Sequence, residues 1–189
     1  MPPVRRRERR RKVRIAAGVP AFLLALWLLS GIAPEGFTRI DLAGEVEGEK
    51  FLSAVVPDGE RVTLTWRHSQ FGLRVTEVFV ARSGVLVQDQ VTFSAPGSPP
   101  PPRVSPRDVD DLYHTGGPFA ARGLSRPFRR IVYRVGQIGD PVIHVQDRTV
   151  AFRDVAGFGG RLVLTASRPS LRGILRFRFP PARTGPVPA

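Results

Sequence analysis

Cysteine is absent from the 189 residues, acidic side chains are scarce (16 Asp and Glu against 29 Lys and Arg), and beyond residue 33 no long run repeats apolar residues with the helical period of 3.6. The lack of cysteine leaves the compartment open, because an exported domain can form disulfides but does not need them. The missing helical period, together with nineteen Gly and nineteen Pro, argues against a helical bundle. At 42% hydrophobic residues, the chain has room for one domain with a real core.

Two sequence motifs of enzymes are also missing. Ser69 lacks the G-x-S-x-G turn of a nucleophile, and the glycines from Gly157 to Gly160 open no helix, which excludes a phosphate-binding loop.

Positive charge is concentrated at the start of the chain. Residues 1–14 hold eight Arg or Lys and one Glu, net +7, so the other 175 residues carry +6 of the total +13. A basic arm that binds nucleic acid is one interpretation. We reject it, because such an arm has no reason to precede an apolar segment.

That segment, residues 15–33, is nineteen residues long and contains no charge. As a helix it would be about 28 Å long, close to the ~30 Å hydrocarbon core of a bilayer. The basic residues on one flank orient it by the positive-inside rule. We therefore predict a cytoplasmic tail (1–14), a transmembrane helix (15–33) and an extracytoplasmic domain from residue 34 in a protein of the cell membrane. A cleaved signal peptide is the alternative, because "GIA" before Pro34 has the form of a cleavage site.

Beyond the anchor, apolar residues recur mostly at every second position. The predicted fold is an all-β antiparallel sandwich or barrel over residues 34–179, followed by a disordered tail at 180–189. Strands are predicted at 38–43, 50–56, 61–68, 73–82, 85–94, 129–136, 142–145, 149–155, 161–167 and 174–179. The Pro-rich stretch 94–106 predicts an extended connection across the surface, and a short helix capped by Ser105 should follow.

Polar residues interrupt the apolar face of three consecutive strands. By alternation, His68 shares a face with Trp66, Glu77 with Phe79, and Asp89 with Val87 and Val91. A three-residue loop at 82–84 would set Glu77 opposite Asp89, and a matching register would set His68 opposite Glu77. The three side chains would then form one row.

Two adjacent carboxylates in a half-buried face need a stabilising partner, because they repel each other and lose hydration. The row is interpreted first as a structural polar network, and the alternatives are a ligand or partner contact, a metal site, or a catalytic site. Neither a metal nor another cofactor is predicted for the chain.

The stretch from Leu64 to Pro101 resembles the domain of unknown function 1850 family. In that family a strand ends in His-Ser, a Glu follows nine residues after the His, and the next strand holds an acidic residue before a Gly/Pro-rich turn. Here these are His68, Ser69, Glu77 and Asp89. The chain departs from the family in having Phe71 where Glu is frequent.

The resemblance implies a small membrane-anchored or exported protein associated with TRAP-type transporters of the TAXI kind, and it brings no catalytic activity. We therefore predict an extracytoplasmic binding or accessory domain, with the membrane and a transporter or solute-binding protein as partners and no role in nucleic-acid binding. The competing hypothesis is an exported hydrolase or metal-dependent enzyme that uses His68, Glu77 and Asp89.

Overall fold

A computed structural model describes residues 35–46 and 49–170, and residues Glu35–Pro169 form one compact unit. The predicted cytoplasmic tail, the anchor at 15–33, the strand at 174–179 and the tail at 180–189 lie outside the described residues. Among the helices that the structure describes, none has the length and apolar character required to cross a bilayer.

Ten strands and two short helices make up the described domain. The strands are β1 (Phe37–Gly44), β2 (Lys50–Pro57), β3 (Arg61–Arg67), β4 (Arg74–Arg82), β5 (Val85–Ser94), β6 (Phe119–Phe128), β7 (Arg130–Arg134), β8 (Val142–Val145), β9 (Arg148–Ala151) and β10 (Arg161–Ser167). The helices are α1 (Val109–Thr115) and α2 (Phe152–Ala156).

The strands form two antiparallel sheets. The first has four strands in the order β2-β1-β10-β7, and the second has six in the order β6-β5-β4-β3-β8-β9. Apolar residues from both sheets meet in one core, which includes Ile40, Leu164, Leu64 and Phe79. The predicted antiparallel sandwich is thus confirmed.

A second core lies at one end of the six-stranded sheet. Val75, Val91 and Phe93 pack there with Val109 of α1, and the partly buried Trp66 packs against both cores. Helix α1 therefore covers part of the sheet's inner face.

Three local predictions differ from the structure. Strand β6 was not predicted, because Gly123 and Pro127 indicate a loop; it is the outer strand of its sheet, where proline is tolerated. The predicted strand 149–155 is wrong in its second half, where α2 packs Phe152, Val155 and Ala156 against the core with helical spacing. Helix α1 begins at Val109, so Ser105 caps a preceding turn and not the helix itself.

The β4–β5 hairpin is tighter than predicted. Arg82 pairs directly with Val85, so the loop has two residues, Ser83 and Gly84, with φ values of 50° and 82°. Positive φ at both central residues is the backbone of a type I′ turn. A β-bulge then moves the register by one more residue between Val78 and Phe79, and this places Val91 opposite Glu77.

Candidate functional site

Glu77 is held by three neutral hydrogen-bond donors. The indole nitrogen of Trp66 donates to Oε2 at 3.1 Å, while the amide of Gln88 and the hydroxyl of Tyr113 donate to Oε1 at 2.7 and 3.1 Å. Strands β3 and β5 and helix α1 supply these donors, so the carboxylate links three elements around β4. We call Glu77, Trp66, Gln88 and Tyr113 the Glu77 network.

Burial raises the pKa of Glu77, and the hydrogen bonds from Trp66, Tyr113 and Gln88 offset only part of that effect. No Lys, Arg or His of the described residues forms an ion pair with it. Burial also raises the pKa of Tyr113 and of Tyr133 on β7, and the negative charge of Glu77 adds to both shifts. The carboxylate therefore affects one group on helix α1 and one in the four-stranded sheet.

His68 follows β3 and lies among aromatic rings. Its ring stacks on Phe71 with centroids 4.7 Å apart, and the centroids of Trp66 and Phe93 are 5.6 and 5.9 Å away. Among the described residues, Nδ1 of His68 is the single buried side-chain nitrogen or oxygen without a hydrogen-bond partner. His68 thus touches the Glu77 network through Trp66.

The predicted row of His68, Glu77 and Asp89 is wrong. The residue opposite Glu77 on β3 is Leu64, and the backbone of His68 instead pairs with Leu73, where its N–H donates to the Leu73 carbonyl at 2.8 Å. The two-residue hairpin loop and the bulge in β4–β5 put Val91 across from Glu77 on the other side.

Asp89 lies at an irregularity of β5. Its neighbours Gln88 and Gln90 pair with both β4 and β6, whereas Asp89 has no partner in either ladder. This extra residue changes the alternation, so that Leu86 and Gln88 are buried before it and Val91 and Phe93 after it. The prediction that Val87, Asp89 and Val91 share one face is therefore wrong, because Val91 is buried while Gln88, and not Val87, takes the inward position before the irregularity.

Ser69 is exposed in the turn after β3. Its hydroxyl makes no hydrogen bond to another described residue, so no base is positioned there to activate it. Within residues 35–46 and 49–170, no group of three or more His, Asp or Glu side chains is arranged to hold a metal ion. The family motif residues thus fall into three separate places: Glu77 in its network, His68 among aromatic rings, and Ser69 and Asp89 outside both.

A cavity of about 240 Å³ opens beside Glu77. Trp66 and Gly139 line it from one side, and Tyr133 and Arg134 of β7 line it from the other. It therefore lies where the two sheets meet, with one carboxylate and two aromatic side chains on its walls.

The sequence did not identify Gln88 and Tyr113 as partners of Glu77. Strict alternation put Gln88 on the outer face, and only the bulge at Asp89 turns it inward. Tyr113 comes from a helix thirty-six positions away, and no short-range pattern links it to β4. The one available signal was the polar character of Glu77 itself, which requires buried donors somewhere.

Fold and site define a two-sheet antiparallel β-sandwich built around a hydrogen-bonded, half-buried carboxylate. Residues 62–152 match the family model described as Domain of unknown function (DUF1850), which confirms the resemblance predicted from the sequence for this part of the chain. The match covers β3 to β9 and contains His68, Ser69, Glu77 and Asp89. The searches of curated proteins and of solved structures each found no match.

Proposed function

We propose that this protein is anchored in the cell membrane by residues 15–33 and exposes its β-sandwich outside the cytoplasm as a binding or accessory domain, auxiliary to a TRAP-type solute transporter. The basic tail and uncharged segment support the anchor. The family supports the link to a transporter by resemblance only.

The proposed binding takes place in the cavity beside Glu77. The carboxylate accepts three hydrogen bonds from neutral donors, so its oxygens are already held in place and serve to shape a polar wall. The volume of about 240 Å³ is below the ~300 to 1,000 Å³ of pockets for drug-sized ligands, which suits a small solute or one protruding side chain of a partner.

The absence of cysteine permits a direct test of topology. Single cysteines are placed at Asp111, which is exposed on α1, and at Pro3 in the tail. A membrane-impermeant maleimide added to intact cells should label Asp111→Cys and should label Pro3→Cys only after lysis. Labelling of Pro3→Cys alone, or of neither before lysis, would contradict the proposed orientation.

The accessory role is tested by solute uptake. Cells that lack this chain should take up the solute of the associated TRAP-type transporter more slowly, and the full chain should restore the rate. The variant Glu77→Leu should restore less uptake at equal abundance, because it removes the polar wall of the cavity. Equal uptake with and without the chain would refute the accessory role.

A further inference from the structure

Two arginines stand directly opposite each other on the outer face of the six-stranded sheet. Arg67 at the end of β3 pairs with Arg74 at the start of β4, and both are exposed. Opposed side chains have Cβ atoms about 4.5 to 5.5 Å apart, and like charges at such positions destabilise a sheet. This pair therefore requires a compensating charge.

The described residues do not supply that charge. Neither guanidinium has an ion pair or a hydrogen bond within residues 35–46 and 49–170. Asp140 lies on the same cavity, but its carboxylate binds Nε of Arg153 at 3.0 Å. The ion pair with Arg153 neutralises Asp140, so Asp140 does not compensate the positive charges of the two opposed arginines.

Both arginines line a cavity of about 490 Å³, within the size range of small-ligand sites. Thr65 and Trp66 of β3 form one wall, and Gly139 and Asp140 form another. The backbone N–H of Arg67 donates to the carbonyl of Gly139 at 2.6 Å, which fixes the loop against the strand end. The cavity thus combines two exposed positive charges with residues of β3 and of the loop that precedes β8.

We propose that this cavity binds a small oxyanion, with Arg67 and Arg74 as its ligands. A guanidinium donates two parallel hydrogen bonds to a carboxylate or a phosphate, and two arginines that line one cavity can both donate to such a group. The bound anion removes the repulsion between the arginines, so binding stabilises the domain. The ligand is a solute with a carboxylate or phosphate group, or the phosphate of a lipid headgroup.

The anion cavity is distinct from the cavity beside Glu77, although Trp66 and Gly139 border both. It depends on positive side chains of the outer face, whereas the other depends on a carboxylate between the sheets. The anion-site proposal can therefore be wrong while the proposed function holds, and the reverse. Neither the topology experiment nor the uptake experiment tests the anion site.

The test uses the full chain in a neutral detergent, at constant ionic strength adjusted with sodium chloride. Thermal unfolding is followed with inorganic phosphate, malonate or glycerol 3-phosphate, which represent a free phosphate, a carboxylate solute and a lipid headgroup. The variants are Arg67→Gln and Arg74→Gln. The control is Arg61→Gln, which removes an exposed charge from the same face of β3 outside the cavity.

At least one anion should raise the unfolding temperature of the unmodified chain and of Arg61→Gln. Each cavity variant should need about tenfold more of that anion for the same shift, because charge-assisted hydrogen bonds are lost. Without any anion, the cavity variants should unfold at or above the temperature of the unmodified chain, because repulsion is relieved. A response to glycerol 3-phosphate alone would assign the site to a headgroup, and a response to malonate would assign it to a carboxylate solute.

The proposal is overturned if all three anions act no differently from chloride. It is also overturned if Arg61→Gln weakens the response as much as the cavity variants do.

Discussion

Trp66 and Glu77 lie on neighbouring strands and are joined by a hydrogen bond of 3.1 Å, although the residue directly across from Glu77 is Leu64. Trp66 is the next inward residue along β3 after Leu64, and its long side chain reaches the carboxylate diagonally. The same side chain packs against both cores. The Glu77 network therefore holds the two cores together where they meet.

The two tyrosines near Glu77 provide a matched pair for testing the network. Tyr113 donates to Oε1, whereas the hydroxyl of Tyr133 has no hydrogen bond within the described residues. We predict that Tyr113→Phe lowers the free energy of unfolding by about 1 to 3 kcal/mol and that Tyr133→Phe changes it by less than about 0.5 kcal/mol. Urea unfolding of both variants at neutral pH measures the difference, and equal effects would contradict the assigned donor.

Glu77→Gln should change how stability depends on pH. Because the folded pKa of Glu77 is raised, the folded state binds a proton more tightly than the unfolded state does. The stability that protonated Glu77 contributes is fully present below its unfolded pKa near 4.5, and it is lost as the pH rises through the higher folded pKa. The unmodified chain should therefore lose stability over this rise, and Glu77→Gln should lack that loss.

The measurement is urea unfolding at several pH values from about 4 to 8, with Asp147→Asn as the control. Asp147 is an exposed acid in the turn between β8 and β9 and is not part of the Glu77 network, so its variant controls for the loss of a carboxylate elsewhere. Parallel pH curves for Glu77→Gln and the unmodified chain would show that Glu77 does not titrate as a buried group.

The pKa of Asp41 is shifted in the opposite direction to that of Glu77. Burial alone would raise its pKa, but the hydrogen bond from Ser53 and the nearby Arg39 guanidinium outweigh that effect, and the pKa is lowered. The stability that ionised Asp41 contributes is thus present above its unfolded pKa near 3.8, and it is lost as the pH falls through the lower folded pKa.

We predict that Asp41→Asn destabilises the domain by about 1 to 3 kcal/mol at pH 7. The difference from the unmodified chain should shrink as the solution is acidified below pH 4. Acid titration of stability for both proteins checks the prediction, and a difference that stays constant to pH 2 would exclude an ionic role for Asp41.

Gly84→Ala should be more damaging than an ordinary substitution at positive φ. A Cβ at Gly84 would lie 2.7 Å from the backbone nitrogen of Arg168, in addition to the strain at φ +82°. Gly97 has a similar φ of +72° but open space around it. We expect Gly97→Ala to cost about 1 to 2 kcal/mol and Gly84→Ala clearly more, as judged by thermal unfolding. Similar losses would mean that the contact with Arg168 relaxes easily.

Much of the fold follows from alternation and turn residues. Strands β5, β8 and β10 have the bounds that alternation predicts, because each is bordered by Gly, Pro or charged residues. Strand β6 was missed since its Gly123 and Pro127 resemble a loop, and only its place at the sheet edge makes them compatible with a strand.

The candidate site was only partly predictable. Parity placed Glu77 on the inner face, as the structure has it, because β4 has no irregularity between Leu73 and Glu77. Its partners depend on the length of the hairpin loop, on the irregularity at Asp89 and on the docking of α1. Each of these is decided by tertiary packing, which a single sequence does not specify.

The additional residue at Asp89 has a consequence for insertions and deletions in β5. It divides the strand into an even-numbered inward half and an odd-numbered inward half, each fitted to a different core. Removing Asp89 would restore regular pleating and leave Gln88 and Phe93 on the inward side, whereas regular pleating with Asp89 retained would turn one of the two to the solvent side. A strand of the same length without the irregularity would thus lose either a donor to Glu77 or the aromatic centre under α1, although its composition would be unchanged.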